Sequence, residues 1–237
     1  MSMDRTHLKG KWALITGASR GIGQQIAWGL AELGVNLVLH ARTQEGLSQT
    51  VNRLKGQAIE YLTIEAELSI DTSISRLIAE VFERLGGVDI LYNNAAVMSR
   101  GAKIWEIPLT EWYRVFEINL FAVVKLCNAF APQMKKRGWG RIVNVTSGIK
   151  DQPDFAPYSV SKAAIDKYSR DLAWELKGTG VLVNYLDPGW LKTDLGGPNA
   201  MYEVATVLPG ALVPVLLEDN GPTGQLFCAQ DYKYLKL

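Results

Sequence analysis

Apolar runs of strand length alternate along this chain with longer stretches in which the apolar positions recur at a helical period. The short runs predict strands at 12–16, 35–40, 61–64, 89–92, 141–145, 181–186 and about 225–228. The amphipathic stretches predict helices at 22–33, 45–54, 70–85, 110–136 and 159–176. Strand and helix therefore alternate over nearly the whole sequence.

The predicted strands are apolar at almost every residue, so both of their faces must be covered. This pattern is typical of a parallel sheet between two layers of helices. It predicts a Rossmann-type doubly wound α/β fold with about seven strands. No proline-, glycine- or serine-rich linker divides the sequence, so we expect one domain over 1–237. Ligands of such sheets bind beyond the carboxyl ends of the strands.

Composition narrows the function classes further. The 25 Lys and Arg nearly balance the 24 Asp and Glu, which gives no field to attract nucleic acid or an anionic membrane. The only cysteines are Cys127 and Cys228 and the only histidines His7 and His40, which argues against a disulfide framework or a zinc site. The longest apolar stretch, 204–217, is shorter than the roughly 20 residues of a membrane span, and the start of the chain lacks a signal-peptide pattern. We expect a cytoplasmic protein without a metal.

A glycine-rich loop connects the first predicted strand to the first predicted helix. It reads Thr-Gly-Ala-Ser-Arg-Gly-Ile-Gly over 16–23. Glycines let the backbone turn tightly and approach a pyrophosphate, and the free N–H groups of the helix N-terminus attract the anion. The loop therefore predicts a dinucleotide site, with contacts from Gly17, Ser19, Arg20, Gly21, Ile22 and Gly23.

Tyr158 and Lys162 lie four residues apart at the start of a predicted helix, which places them on one face. Reduction of a carbonyl needs a proton donor, and a free tyrosine with a pKa of about 10 is a poor proton shuttle near neutrality. Lowering that pKa by about three units takes roughly 4 kcal/mol, which a lysine charge at about 4 Å supplies at an effective dielectric near 20. The pair is therefore energetically sufficient for proton transfer, although this spacing also occurs by chance in helices.

These motifs together resemble the short-chain dehydrogenase/reductase family almost end to end. The loop at 16–23 is similar to the family's T-G-x-x-x-G-x-G, 93–96 to its N-N-A-G with Ala96 in place of glycine, and 158–162 to its Y-x-x-x-K. Pro188-Gly189 resembles its P-G turn after the sixth strand, and the C-terminal region is closest to the carbonyl-reductase members. The resemblance implies an oxidoreductase that uses a nicotinamide cofactor.

The resemblance also implies roles for four polar residues. Tyr158 would be the proton donor and Lys162 its charged neighbour. Ser147 would hydrogen-bond the substrate oxygen, with Thr146 as the neighbouring alternative. Asn119, unusual inside an apolar helix, would hold a water beside the lysine. Ser147 and Tyr158 are separated by only ten residues, which predicts a tight loop along the substrate pocket.

The end of the second strand bears on which nicotinamide is used. An acidic residue here would bind the ribose 2′-hydroxyl of NAD, and none occurs in 39–43. Arg42 does occur there and could bind the 2′-phosphate that distinguishes NADP(H) from NAD(H). Arg20 in the glycine loop could reach the same phosphate, so we expect NADP(H). The resemblance adds further expected cofactor contacts from Glu67, Leu68, Asn94, Ala95, Tyr158, Lys162, Pro188, Gly189, Leu191 and Thr193.

The substrate end is less determined. A lid is expected at about 190–217, with candidate pocket residues Met98, Ile149, Gln152, Phe155 and Trp190. The apolar lining favours a neutral ketone or aldehyde. A 3-oxoacyl thioester reductase, a secondary-alcohol or polyol dehydrogenase, and a catalytically silent NADP(H)-binding sensor remain alternatives. The family resemblance implies a homo-oligomer, a dimer or a tetramer.

Overall fold

The computed structural model describes residues 6–99, 102–151 and 153–236. Seven parallel strands form one sheet in the order β3-β2-β1-β4-β5-β6-β7. They are β1 Trp12–Ile15, β2 Asn36–Ala41, β3 Tyr61–Glu65, β4 Ile90–Asn93, β5 Gly140–Val145, β6 Val181–Asp187 and β7 Leu226–Cys228. The order reverses direction between β1 and β4, and this switch point opens a crevice at the carboxyl edge of the sheet. The predicted Rossmann-type fold is confirmed.

Helices cover both faces of the sheet. They are α1 Gly21–Glu32, α2 Ser48–Leu54, α3 Asp71–Leu85, α4 Leu109–Phe116, α5 Ala122–Arg137 and α6 Tyr158–Glu175. Successive strand residues alternate between two buried clusters: Ile15 belongs to the cluster under α1, and Leu14 to the cluster under α3, α5 and α6. A fully buried leucine or isoleucine contributes about 1.5–3 kcal/mol, so both faces of every central strand favour apolar residues. This explains the nearly continuous apolar runs.

The predicted helix at 110–136 is two helices joined by a π-helical segment, Glu117–Phe121. The periodicity predicted one helix because the backbone stays helical through this segment. The π-helical turn differs only in containing one extra residue. Such π segments often occur at functional sites. This one contains Asn119, which is buried.

The segment after β6, where a lid is expected, divides into two parts. Its first part is mostly exposed or half-buried and carries an isolated bridge between Leu191 and Tyr202. Its second part forms the short 3-10 helices Val204–Val207 and Gly210–Val215, and Leu212 and Val215 are buried in the cluster under α1. The second part is therefore packed as core.

The stretch Leu109–Arg137 is long and apolar enough to cross a bilayer by length and composition alone. In the structure Leu126, Phe130 and Met134 of this stretch belong to the buried cluster on the sheet. A core helix passes the same criterion, so this is weak evidence for a membrane span. Among the described residues, no group of three His, Cys, Asp or Glu could hold a metal ion.

Candidate active site

Ser147 and Tyr158 meet at the carboxyl edge of the sheet. Ser147 follows β5 by two residues, and Tyr158 is the first residue of α6. The Ser147 hydroxyl donates a hydrogen bond to the Tyr158 phenol, and the phenol ring is only 5% exposed. Strand end and helix start thus bring together two residues that the sequence predicted to share a site.

Lys162 lies one helical turn beyond Tyr158 and is buried. Its Nζ donates to the carbonyl of Val145 at 2.7 Å, and it lies 5.7 Å from the centre of the Tyr158 ring. The backbone at the end of β5 therefore fixes the ammonium group beside the phenol.

Asn119 connects the loop after β4 to α6. Its Oδ1 accepts from the Val97 N–H at 2.9 Å, and its Nδ2 donates to the Val97 carbonyl at 2.9 Å and to the Ser161 hydroxyl at 3.0 Å. Ser161 precedes Lys162, so the amide joins the wall of the crevice to the helix that carries Tyr158. The described contacts are with backbone and with Ser161, and none is with Lys162.

The glycine loop is built for close approach. Gly17 has φ +67°, where a side chain is strained, and a Cβ on Gly23 would lie 2.3 Å from the Gly17 carbonyl oxygen. The Asn94 side chain donates to the carbonyls of Thr16 at 2.8 Å and Gly17 at 3.2 Å, which holds the loop against the end of β4. Ser19 and Ile22 lie in the same loop, and no described side chain caps the N-terminus of α1. The residues present therefore fit a pyrophosphate.

The loop at the end of β2 borders a cavity of about 380 Å³. Arg42, Glu65, Glu67 and Arg76 line it, and Leu68 is buried beside it. Glu67 also accepts hydrogen bonds from the Ser69 backbone and side chain. The lining of this cavity thus combines two guanidinium groups with three carboxylates, since Glu80 also belongs to it.

Arg20 lies outside this lining and forms an ion pair with Asp194 at 2.7 Å. Both side chains are largely exposed. The pair joins the glycine loop to the segment after the Pro188-Gly189 turn. Thr193 approaches the loop from the same side, since its Cγ2 would lie 3.4 Å from a Cβ on Gly21, and Leu191 is buried behind it.

The predicted pocket residues differ in how closely they approach Ser147. Ile149 is half-buried and its N–H donates to the Ser147 hydroxyl at 3.3 Å, and Met98 is also half-buried. Phe155 and Trp190 are 44% and 56% exposed, and their place at the substrate pocket stays a prediction. Gln152 lies outside the described residues.

The family model of short chain dehydrogenases matches residues 11–201, which include every element of this site. The chain belongs to the short-chain dehydrogenase/reductase family. A Bacillus subtilis oxidoreductase, YvaG, whose function is uncharacterised, is 34% identical over 92% of this chain and 83% of its own. The ketoacyl reductase HetN of a Nostoc strain is 36% identical over 78% of this chain and 65% of its own.

The solved structures carry the same architecture. A metagenomic short-chain oxidoreductase in complex with NADP superposes with a TM-score of 0.79 at 30% identity, over 93% of this chain and 98% of that one. This member of the short-chain dehydrogenase/reductase family is therefore an oxidoreductase of a class that binds a nicotinamide cofactor and acts on small molecules.

The electrostatics of Tyr158 differ from the expectation drawn from its spacing to Lys162. Burial raises the pKa of the phenol to about 12, the Ser147 hydrogen bond lowers it, and the nearby Asp187 carboxylate raises it. Burial also lowers the pKa of Lys162 to about 8, against the opposing effect of Asp166. The expected lowering of the phenol's pKa is not found in this structure, because desolvation outweighs the Ser147 hydrogen bond.

Two residues that contact the candidate site were not predicted from the sequence. His40 accepts the Gly17 N–H on Nδ1 at 3.2 Å and lies 3.0 Å from the Ala66 carbonyl through Nε2, which assigns the proton to Nε2. Burial lowers the pKa of His40, so a neutral imidazole supports the glycine loop. Asp166, buried one turn beyond Lys162, accepts from the Thr146 hydroxyl. The only sequence signal for a position of Asp166 near the site was its i+4 spacing from Lys162.

Proposed function

We propose that this protein is an NADPH-dependent reductase that converts a ketone or aldehyde to an alcohol. The observation that carries the proposal is the hydrogen-bonded pair of Ser147 and Tyr158, with the Lys162 ammonium one turn away. This trio faces the crevice beyond β5, on the same edge of the sheet as the glycine loop. Acid catalysis and cofactor binding then occur in one place.

Each residue of the trio has a separate task. NADPH, when bound, supplies the hydride that adds to the carbonyl carbon. Tyr158 has a pKa of about 12, so its phenol stays protonated near neutrality and donates its proton to the oxygen that becomes the alcohol. Ser147 donates a hydrogen bond that holds that oxygen beside the phenol, and the Lys162 charge stabilises the phenolate left behind.

In this proposal Asn119 does not contact the reacting atoms. By holding both the N–H and the carbonyl of Val97, it keeps the crevice wall at a fixed distance from α6. It is a positioning residue for Tyr158 and Lys162, and a water held beside Lys162 would lie near its amide.

The preference for NADPH rests on charge at the adenosine end. Arg42 and Arg76 line the cavity there beside Glu65, Glu67 and Glu80, and no acidic residue stands in 39–43, where one would repel a 2′-phosphate. The structural relative that carries NADP supports this choice. Gly17, Ser19, Gly21, Ile22 and Gly23 would hold the pyrophosphate, and Arg20 would join them if it left Asp194.

The similarity to a ketoacyl reductase favours a second candidate, reduction of a 3-oxoacyl thioester. The two candidates share the trio and differ in the substrate alone. Met98, Ile149, Phe155 and Trp190 would provide an apolar border for either, with the exposed first part of the expected lid, 190–203, beside them. The small half-buried surface beside Ser147 favours a compact carbonyl.

The test is NADPH oxidation against ketones, aldehydes, diketones and acyl thioesters, run beside Tyr158→Phe. That substitution removes one hydroxyl and leaves the packing of the ring unchanged. We expect kcat to fall by about 10²–10⁴-fold, as loss of a general acid does, while NADPH binding measured by fluorescence is unaltered. Full activity of the variant would contradict the mechanism. Tight NADPH binding without turnover of any compound by the wild type would indicate a silent sensor.

A further inference from the structure

Asp187 places a carboxylate at the mouth of the candidate active site. It is the last residue of β6, which pairs with β5 in parallel through Val145 and Leu186. Asp187 follows Leu186 directly and Ser147 follows Val145 by two residues, so both lie at the carboxyl ends of neighbouring strands. The carboxylate stands next to the serine proposed to hold the substrate oxygen.

Two contacts fix where the carboxylate lies. Its Oδ1 accepts the Gly189 N–H at 2.9 Å, and its Oδ2 would lie 2.8 Å from a Cβ on Gly148. A side chain at position 148 would displace it, so glycine directly after Ser147 leaves room for the acid. Gly148 is exposed and Asp187 is half-buried, so the carboxylate lies close to solvent.

The described contacts of this carboxylate are confined to the Gly189 N–H on Oδ1. Among the described residues, no lysine, arginine or histidine forms an ion pair with Asp187, and none donates a hydrogen bond to Oδ2. The closest buried cation of the site, Lys162, is bonded to the Val145 carbonyl. The Asp187 carboxylate is near enough to Tyr158 to influence its phenol. A half-buried carboxylate oxygen of this kind is stabilised by a donor, which a bound substrate can supply.

We propose that Asp187 is a specificity-determining residue that selects carbonyl substrates carrying a hydrogen-bond donor, a hydroxyl or a protonated amine, beside the reacting carbon. The same charge excludes substrates carrying a carboxylate or a phosphate there. This rests on the proposed reductase function and narrows it to a substrate class. Ser147 and Tyr158 then bind the carbonyl oxygen, and Asp187 binds the neighbouring substituent.

A site that hydrogen-bonds a substrate group discriminates strongly against the analogue without it, because its own polar atom is then left unpaired. Like charges at such a distance repel as strongly as opposite charges attract. We therefore expect at least about a tenfold gain in kcat/KM for a donor-bearing ketone and a comparable loss for an anionic one.

The experiment uses four ketones of one skeleton: acetophenone, α-hydroxyacetophenone, α-aminoacetophenone and phenylglyoxylate. The full-length protein with NADPH should give the highest kcat/KM for the hydroxy and amino compounds and the lowest for phenylglyoxylate. Asp187→Asn keeps an acceptor but removes the charge. It should retain a preference for the hydroxyl compound, lose the preference for the amine, and accept phenylglyoxylate. A preference for the amine alone in the wild type identifies a cationic substrate, and a preference for both identifies a donor of either kind.

Asp171→Asn is the matched control, because Asp171 is exposed on α6 and pairs with Lys167 away from the crevice. It should leave all four kcat/KM values unchanged. Gly148→Ala is a second variant that displaces the carboxylate without altering its charge, and it should weaken the same preferences. Thermal unfolding and NADPH binding of each variant establish whether the fold is retained. If Asp187→Asn does not fold, the proposal is tested by the wild-type substrate series and by Gly148→Ala.

Failure of the proposed role of Asp187 and failure of the proposed reductase function would give different results. If the wild type reduces all four ketones equally and Asp187→Asn changes none of the ratios, the role of Asp187 is overturned while the reductase function stands. If the wild type reduces none of them and none of the wider carbonyl panel, the proposed function itself fails.

Discussion

Tyr158 sits between two opposing electrostatic influences. Burial and Asp187 raise the pKa of its phenol, and the Ser147 hydrogen bond lowers it. A phenol that stays protonated suits donation to a developing alcohol, whereas alcohol oxidation needs the phenolate. The raised pKa of the phenol therefore agrees with the proposed reduction.

The pH dependence of reduction should follow Lys162. Its pKa is lowered to about 8 by burial, so the ammonium is complete below that pH and is lost as pH rises through it. We expect kcat/KM for carbonyl reduction to fall through a single ionisation near this pH. Asp166 raises the pKa of Lys162, so Asp166→Asn should move the fall to lower pH. Superimposable profiles of wild type and Asp166→Asn, in a protein with unchanged thermal stability, would exclude this role.

Arg42 should decide the choice between the two nicotinamide cofactors. Arg42→Ala removes a guanidinium that can bind a 2′-phosphate through charge-assisted hydrogen bonds. We expect the Kd for NADPH to rise at least about tenfold and the Kd for NADH to stay constant, as charge-assisted bonds contribute about 1.5–3 kcal/mol. Fluorescence titration measures both constants. Arg170→Ala, an exposed change on α6, is the control. An equal loss for both cofactors would place Arg42 elsewhere than at the phosphate.

At the scale of elements, the π segment between α4 and α5 explains what periodicity could not predict. An amphipathic pattern locates a helix and its apolar face, but one extra residue in a turn leaves the pattern almost unchanged. The sequence did indicate an unusual position in this helix through Asn119, a polar side chain at a core position. Its amide is bonded to Val97 and Ser161, and the water expected beside Lys162 stays a prediction.

Asn119→Ala should therefore reduce stability as well as activity. It leaves the N–H and carbonyl of Val97 without their side-chain partners, and each buried group left unpaired costs about 1–3 kcal/mol. Urea denaturation should report a loss of at least about 1–3 kcal/mol in the free energy of unfolding. The exposed Asn128→Ala on α5 should report almost none. An activity loss at full stability would instead favour a role confined to proton relay.

At the scale of the whole molecule, the fold was predictable because each of its rules acts locally. Apolar strands, glycines between strand and helix, and the Tyr158–Lys162 spacing are all short-range patterns. The contact between Asp187 and Gly148 was not predictable, because it depends on the register of β5 with β6. The same holds for Arg76, which α3 brings to the cavity beside Arg42 from far along the chain.

The surface of the molecule also bears on assembly. Around α4, the large apolar side chains of Trp105, Leu109, Tyr113 and Phe121 are each more than half exposed. Apolar patches of this kind on a folded protein mark contacts with other chains. Since short-chain dehydrogenase/reductase proteins are typically oligomeric, we expect this surface to join two copies of the chain.

Light scattering coupled to size exclusion should therefore give a multiple of the chain mass. Leu109→Glu combined with Tyr113→Glu should give the monomer, because two charges would be buried in the contact without partners. Glutamate at position 109 lies in the first turn of α4, where a negative charge is favourable, so the monomer itself should remain folded. Met201→Glu introduces the same charge at another exposed apolar residue and should leave the mass unchanged. A monomeric wild type, or a double variant of unaltered mass, would show that copies of the chain do not meet through this surface.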